Sequence, residues 1–160
     1  MIALLKKWRC ALLVFCTHSV ALPAIRLLQQ VKKFPYNTAQ LGEMPDSSGG
    51  ALLLQFLHRH NLHLLPDYES HDIKHALLGY PATEEGEASL QYFFYGNGQR
   101  SFPVLITVLV TFVIMPEYHA AFRKAYRRGL ATPRLGGVDW FGMLPQPAED
   151  IRQQLQIPPL

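Results

Sequence analysis

Val104-Leu105-Ile106-Thr107-Val108-Leu109-Val110-Thr111-Phe112-Val113-Ile114-Met115, fenced by Pro103 and Pro116, is the run on which the fold class turns. Its β-branched content suits a buried strand as well as a helix. Helix is favoured because Thr107 and Thr111 lie four residues apart and share one helical face. No other segment of the chain reads as a strand partner. As a helix the run rises only about 18 Å, too short for a hydrocarbon core of roughly 30 Å. It is therefore expected as core, with the lining of an apolar tunnel as the alternative role. So read, the chain is a single all-α domain.

Downstream, the helix after Pro116 carries Tyr118, Phe122 and Tyr126. The last helix starts at Pro147, with Glu149 and Asp150 early and Ile151 and Leu155 expected to be buried. Upstream, Gly96-Asn97-Gly98 stops a helix that runs through Leu90 and Phe93. Asn-Gly is also a hairpin signal, but its flanks do not alternate with period two. Thr83 is the N-cap candidate of that helix, and Glu84, Glu85 and Glu87 fill its first turn, where the dipole favours acids. The helix before it opens at Pro66 and Asp67 and ends at Gly79-Tyr80-Pro81. Asp46 or Ser47 caps a further helix over 51–60, after a polar, turn-rich linker from Pro35 to Gly50. Pro23 opens a helix carrying Ile25, Leu27, Leu28 and Val31.

The 160 residues are enough for one domain with a real core, and about half are apolar. The net charge of +3 hides an asymmetry: the first forty residues carry Lys6, Lys7, Arg9, Arg26, Lys32 and Lys33 and no acid. Met1, Leu4, Leu5, Trp8, Leu12 and Phe15 recur at helical spacing beside these bases. That is the pattern of an amphipathic helix on an anionic membrane surface, and also of a core-facing helix with a solvated basic side. Ser19-Val20-Ala21 could pass as a secretory cleavage site, but Thr17 and His18 interrupt the apolar stretch. No nucleic-acid partner is expected, because there is no recognition motif and no basic-aromatic interleaving. Cys10 and Cys16 imply no disulfide framework and favour a reducing compartment.

The chemistry is concentrated in His71-Asp72-Ile73-Lys74-His75 and, twelve residues on, Glu87. On a helix His71 and His75 point the same way, and Asp72 flanks them about 60° round. Two imidazoles with carboxylate oxygens suit zinc or a similar divalent ion. By spacing alone Glu84 or Glu85 could replace Glu87, and Glu87 could instead be a dipole partner only. The bland alternative is a surface His pair balanced by Asp72 and Lys74. A zinc peptidase would carry His-Glu-x-x-His with the Glu as base; Asp72 is one methylene shorter and would serve better as a ligand. His58, His60 and His63 do not converge on one helical face and read as surface. Arg123, Lys124, Arg127 and Arg128 form two i, i+4 basic pairs, either a solvated face or an anion site. Arg127 or Arg128 is placed at the entrance for an anionic group, with Arg123 as the substitute.

His71-Asp72-x-x-His75, eleven residues and Glu87 together resemble the coenzyme Q (ubiquinone) biosynthesis protein 4 family. Leu65-Pro66-x-Tyr68-Glu69-Ser70, Leu78-Gly79-Tyr80 and Gly86-Glu87 fit around the motif. Pro116-Glu117-Tyr118, Arg128-Gly129, Asp139-Trp140 and Ile151-Arg152-x-x-Leu155 follow in order. The resemblance covers roughly Phe34 to Ile157. It divides the chain into a basic amphipathic helical segment, 1–33, and a family-like helical domain, 34–160. The chain reads as a short, bacterial-type member without a long mitochondrial leader.

The resemblance implies an all-helical, often dimeric fold with a prenyl lipid in an apolar channel. It also implies one divalent metal, zinc first, on His71, Asp72, His75 and Glu87. The expected role is a metal-dependent carboxy-lyase that removes the ring carboxylate of a polyprenylated hydroxybenzoate and replaces it by oxygen. The expected place is peripheral, on the cytoplasmic face of the inner membrane or the matrix side in mitochondria, beside the other quinone-biosynthesis enzymes. The rival expectations are a non-catalytic organiser that presents prenyl lipid to those enzymes and, behind it, a zinc hydrolase.

Overall fold

The computed structural model describes residues 33–160. Among them the chain forms helices and no strand: α1 (Thr38–Gly42), α2 (Gly49–Arg59), α3 (Glu69–Leu78), α4 (Glu84–Gly96) and α5 (Phe102–Ile114). A 3-10 turn (Pro116–Tyr118), α6 (His119–Ala131), α7 (Trp140–Met143) and α8 (Ala148–Gln154) complete them. The all-α reading is right. The amphipathic helix read from Met1 to Phe15 and the helix opened by Pro23 lie outside the described residues.

Local chemistry sets most boundaries. Thr83 caps α4 by accepting the Gly86 N–H at 3.1 Å. Gly79 ends α3 in the left-handed region, φ +79°, where a side chain would be strained. Two starts differ from expectation. Ser48 caps α2 through the Ala51 N–H at 3.1 Å, and Ser47 lies outside the helix with its carbonyl accepting the Ala148 N–H at 2.7 Å. Asp67 lies in a turn at φ +70°, so α3 begins only at Glu69. The linker from Pro35 to Gly50 also hides α1, where Asn37 and Gln40 exchange side-chain and backbone bonds of 2.9 Å.

α4 is the centre of the packing and meets α6 more extensively than any other described pair of helices meets. The two backbones approach closely where Gly96 faces Tyr126 and Gly129 faces Phe93. A β-carbon at Gly129 would sit inside the van der Waals shell of the Phe93 carbonyl oxygen. Leu77, Leu90, Phe93 and Phe122 are buried around this crossing. Beyond the end of α4, the buried amide of Asn97 donates to the carbonyls of Thr132 and Pro133, each at 2.9 Å. Its oxygen accepts the Leu135 N–H at 2.9 Å, which ties down the chain after α6.

α5 is not core. Within it only Val104 and Thr111 are buried, while Leu109 is 63% and Val113 70% exposed. Its inner face is held by Tyr92, whose hydroxyl donates to the Val108 carbonyl at 3.0 Å. Among the described residues no single helix is long and apolar enough to cross a membrane.

Gly129→Ala is expected to cost about 2–4 kcal/mol by forcing α4 and α6 apart. Gly136→Ala, with nothing within 4 Å of the added carbon, is expected to be near neutral. Urea unfolding followed by circular dichroism measures both.

Candidate metal centre

α3 and the first turn of α4 build the site. His71 and His75, one turn apart on α3, bring their rings to a centroid separation of 4.6 Å. Glu87 answers from α4: its Oε2 lies 3.3 Å from His71 Nε2 and its Oε1 3.3 Å from His75 Nε2. One ligand atom from each of the three lies within 4.8 Å of the others. Of the acids that spacing left open, Glu87 joins this group and Glu84 and Glu85 do not.

One outer nitrogen is bonded from behind and the other faces a carboxylate. His75, only 1% exposed, donates from Nδ1 to the Tyr80 carbonyl at 3.0 Å. That bond orients the ring and points Nε2 at Glu87. Nδ1 of His71 lies 3.5 Å from Oδ1 of the buried Asp72. Asp72 thus stands behind His71 and not inside the trio. Phe56 stacks on His75 at 5.6 Å, and Tyr68 packs on His71 at 4.6 Å.

Burial alone would lower the His71 pKa. Hydrogen bonding to Asp72 and Glu87, together with their charge, outweighs it and raises the pKa to about 9. Burial would likewise raise Glu87, but the facing imidazoles of His71 and His75 hold its carboxyl well below the usual carboxylate range. The pocket therefore favours positive charge between its carboxylates. The Nε2 of His75 is buried without a hydrogen-bond partner, as a nitrogen awaiting a Lewis acid would be. By donor type and aim, the residues fit a divalent cation.

Spacing missed Tyr80 as the partner of His75. Its signal is Gly79: a left-handed cap turns the next residue back over the last turn, and Tyr80 N–H meets the His75 carbonyl at 3.1 Å. The second histidine cluster is only partly surface, since His60 packs on Phe56 at 4.8 Å and its Nε2 accepts the Ala82 N–H at 3.4 Å. Arg128 is no entrance residue. It is buried, donating to the carbonyls of Leu78 at 2.8 Å and Pro158 at 2.7 Å. Arg123 instead lines an apolar cavity of about 260 Å³ with Tyr92, Tyr95, Phe112, Phe122 and Tyr126.

Residues 64–160 match the family model described as coenzyme Q (ubiquinone) biosynthesis protein Coq4. Over 97 residues the chain is 31% identical to the mitochondrial ubiquinone biosynthesis protein coq-4 of Neurospora crassa, an alignment that spans 57% of this chain and 27% of that protein. It is 33% identical to the mitochondrial COQ4 of Ajellomyces capsulatus, across 56% of this chain and 34% of the relative. The chain thus spans about a third of the length of these curated relatives. A crystal structure from Nostoc punctiforme, named for ubiquinone biosynthesis, has a similar fold. Its TM-score is 0.62 at 19% identity, across 96% of this chain and 81% of that one.

The charge arrangement sets a pH window for the metal-free protein. The raised pKa of His71 contributes stability that is full below its ordinary 6.5 and is lost as pH rises through about 9. The depressed pKa of Glu87 contributes stability present above its ordinary 4.5 and lost on acidification. In excess chelator, Tm is expected to be highest between these two values and to fall toward pH 9. Glu87→Gln flattens that alkaline fall. Scanning calorimetry across pH reads both.

Proposed function

The chain belongs to the Coq4 family of coenzyme Q (ubiquinone) biosynthesis proteins, and on that premise we propose that it is a metal-dependent decarboxylase of a polyprenylated hydroxybenzoate. The observation that carries the reading is the convergence of two Nε2 atoms on Glu87, with the Nδ1 of His75 bonded from behind to the Tyr80 carbonyl. His71, His75 and Glu87 would hold a divalent cation, and two nitrogens with a carboxylate favour zinc or a close neighbour. Bound there, such an ion supplies Lewis acidity toward a carboxylate or ring oxygen.

The chain's own residues do the positioning. The Tyr80 carbonyl keeps the proton of His75 on Nδ1, and Asp72 orients His71 from its far side; a direct bond from Asp72 to the ion is the alternative role. Phe56 and Tyr68 shield the two rings from water. In the reaction a proton adds at the carboxyl-bearing ring carbon while the phenol loses its own and becomes a ring ketone. The bond from ring to carboxyl then breaks, carbon dioxide leaves, and the electron pair restores the aromatic ring and the charge on the phenol oxygen. Hydroxylation there needs an external two-electron oxidant in addition. The prenyl tail would occupy the apolar cavity beside Arg123, each buried methylene contributing about 0.8 kcal/mol. The protein would lie peripherally on the inner membrane, with a second copy and other quinone-biosynthesis enzymes as partners.

The organiser reading keeps one supporting observation. The cavity lies farther along α4, with its tyrosines five and eight residues beyond Glu87, so lipid could be held without chemistry at the trio. A hydrolase is disfavoured, because the carboxylate that would act as base lies on the Nδ1 side of His71, away from the trio.

Purified protein with zinc and a prenylated hydroxybenzoate is expected to release carbon dioxide. His75→Ala is expected to lose the metal and at least about a hundredfold in rate while keeping its helical spectrum. Elemental analysis with a trapped-carbon-dioxide assay checks both. Turnover only with partner enzymes present would move the assignment to the organiser.

A further inference from the structure

The outer face of α5 has no covering among the described residues. Leu105, Leu109, Phe112 and Val113 are exposed at i, i+4, i+7 and i+8 spacing, with Phe102 continuing the stripe. No residue of α5 carries a charge. A continuous apolar stripe of this kind on a surface helix marks an interaction site. The question is what it meets.

The charge beside it gives the answer. Between Gln99 and Val138 there is one acid, Glu117, against Arg100, Arg123, Lys124, Arg127, Arg128 and Arg134. Of these bases only Arg128 is buried. Arg123, Lys124 and Arg127 stand exposed on α6, which follows α5 after a bend of 104°. Arg123 shares the wall of the 260 Å³ cavity with Phe112, so the basic edge and the apolar stripe meet at one mouth. The thirteen residues of α5 rise about 20 Å as a helix, short of the roughly 30 Å hydrocarbon core. Such a helix lies in the interface plane and does not cross it.

We propose that the outer face of α5 and the basic edge of α6 form the surface by which this protein lies on an anionic lipid bilayer. Leu105, Leu109 and Val113 enter the acyl boundary while Lys124 and Arg127 meet lipid phosphates. A second copy fits less well. A two-fold interface is met by the same patch, and between Gln99 and Val138 that patch offers only Glu117 as an acid to its bases. The proposal rests on the peripheral-membrane part of the reading above and is separate from its decarboxylation chemistry. It also faces the cavity mouth toward the lipid phase, which lets a prenylated substrate enter without crossing water.

The test uses the full chain with vesicles of phosphatidylcholine alone and with 30% phosphatidylglycerol added (about one anionic lipid in three). Sedimentation is expected to show binding to the anionic vesicles that weakens as salt is raised. Leu109→Gln with Val113→Gln is expected to lower the partition coefficient at least about tenfold. Lys124→Gln with Arg127→Gln removes most of the salt dependence. The Leu109→Gln, Val113→Gln pair neither lines the cavity nor touches the trio, so it keeps bound metal and carbon dioxide release from detergent-solubilised substrate. That keeps failure of docking distinct from failure of catalysis. Wild-type protein that ignores anionic vesicles overturns the proposal. So does a Leu109→Gln, Val113→Gln variant that binds like wild type, which would assign binding elsewhere, residues 1–32 included. Light scattering that shows a dimer dissolved by this variant, with vesicle binding unchanged, also overturns it and gives the face to a second copy.

Discussion

The contact on which the rest depends is the close crossing of α4 and α6. With no side chain at Gly96 or Gly129, backbone meets backbone, and α4 is fixed along its C-terminal half. Its N-terminal turn then has one place to stand, and that turn carries Glu87. α6 reaches past α4 as well: Arg128 donates to the Leu78 carbonyl, and Arg152 of α8 donates to the Leu77 carbonyl at 2.9 Å. The last carbonyls of a helix have no partner within it. Here two arginines satisfy them and thereby lock α3 to the helices that hold α4. The distance from His75 to Glu87 is thus set far from either residue.

Two readings of Glu87, dipole partner and ligand, turn out to be the same physics. A carboxylate in the first turn of α4 is stabilised by the helix N-terminus, which lowers the cost of keeping an acid against two imidazoles. Asp72 adds a second negative charge on the far side of His71. Without an ion, His71 stays protonated to about pH 9, and that proton supplies the positive charge the pocket demands. A divalent cation would displace it, so binding and deprotonation are coupled.

Much of this was legible in sequence, and the limits have physical causes. The i, i+4 histidines, the Thr83 cap and the Gly79 and Gly96 stops depend on local backbone chemistry, and they lie where spacing puts them. The cap of α2 falls one residue later, at Ser48, next to a backbone bond from Ser47 to a residue a hundred positions away. α1 was missed because five residues with one buried leucine show no periodicity. Asn97 reads as a turn residue, yet its side chain bonds to Gly129 in the last turn of α6 and to Thr132, Pro133 and Leu135 past its end. Arg127 and Arg128 are adjacent and equivalent in pattern; only the turn of α6 decides that one faces water and the other Leu78. α5 is the sharpest case. Hydropathy measures what leaves water and is silent on whether protein or lipid replaces it. A core assignment was therefore the wrong inference from a correct helix.

The position of the cavity relative to the trio bears on how one ligand could engage both. Tyr92 and Tyr95 lie five and eight residues beyond Glu87 on α4, about 7.5 and 12 Å along the axis. At 100° per residue they also lie about 140° and 80° around it. A single prenylated substrate with its ring at the trio and its tail in the cavity must therefore curve about α4, not run straight along it. A flexible isoprenoid can do so; a rigid ligand cannot. The ring end then depends on α3 and the first turn of α4, and the tail end on α5 and α6. On the proposed reading, head-group chemistry and lipid capture would thus rest on different helix pairs. They share only α4, which the glycine crossing holds still.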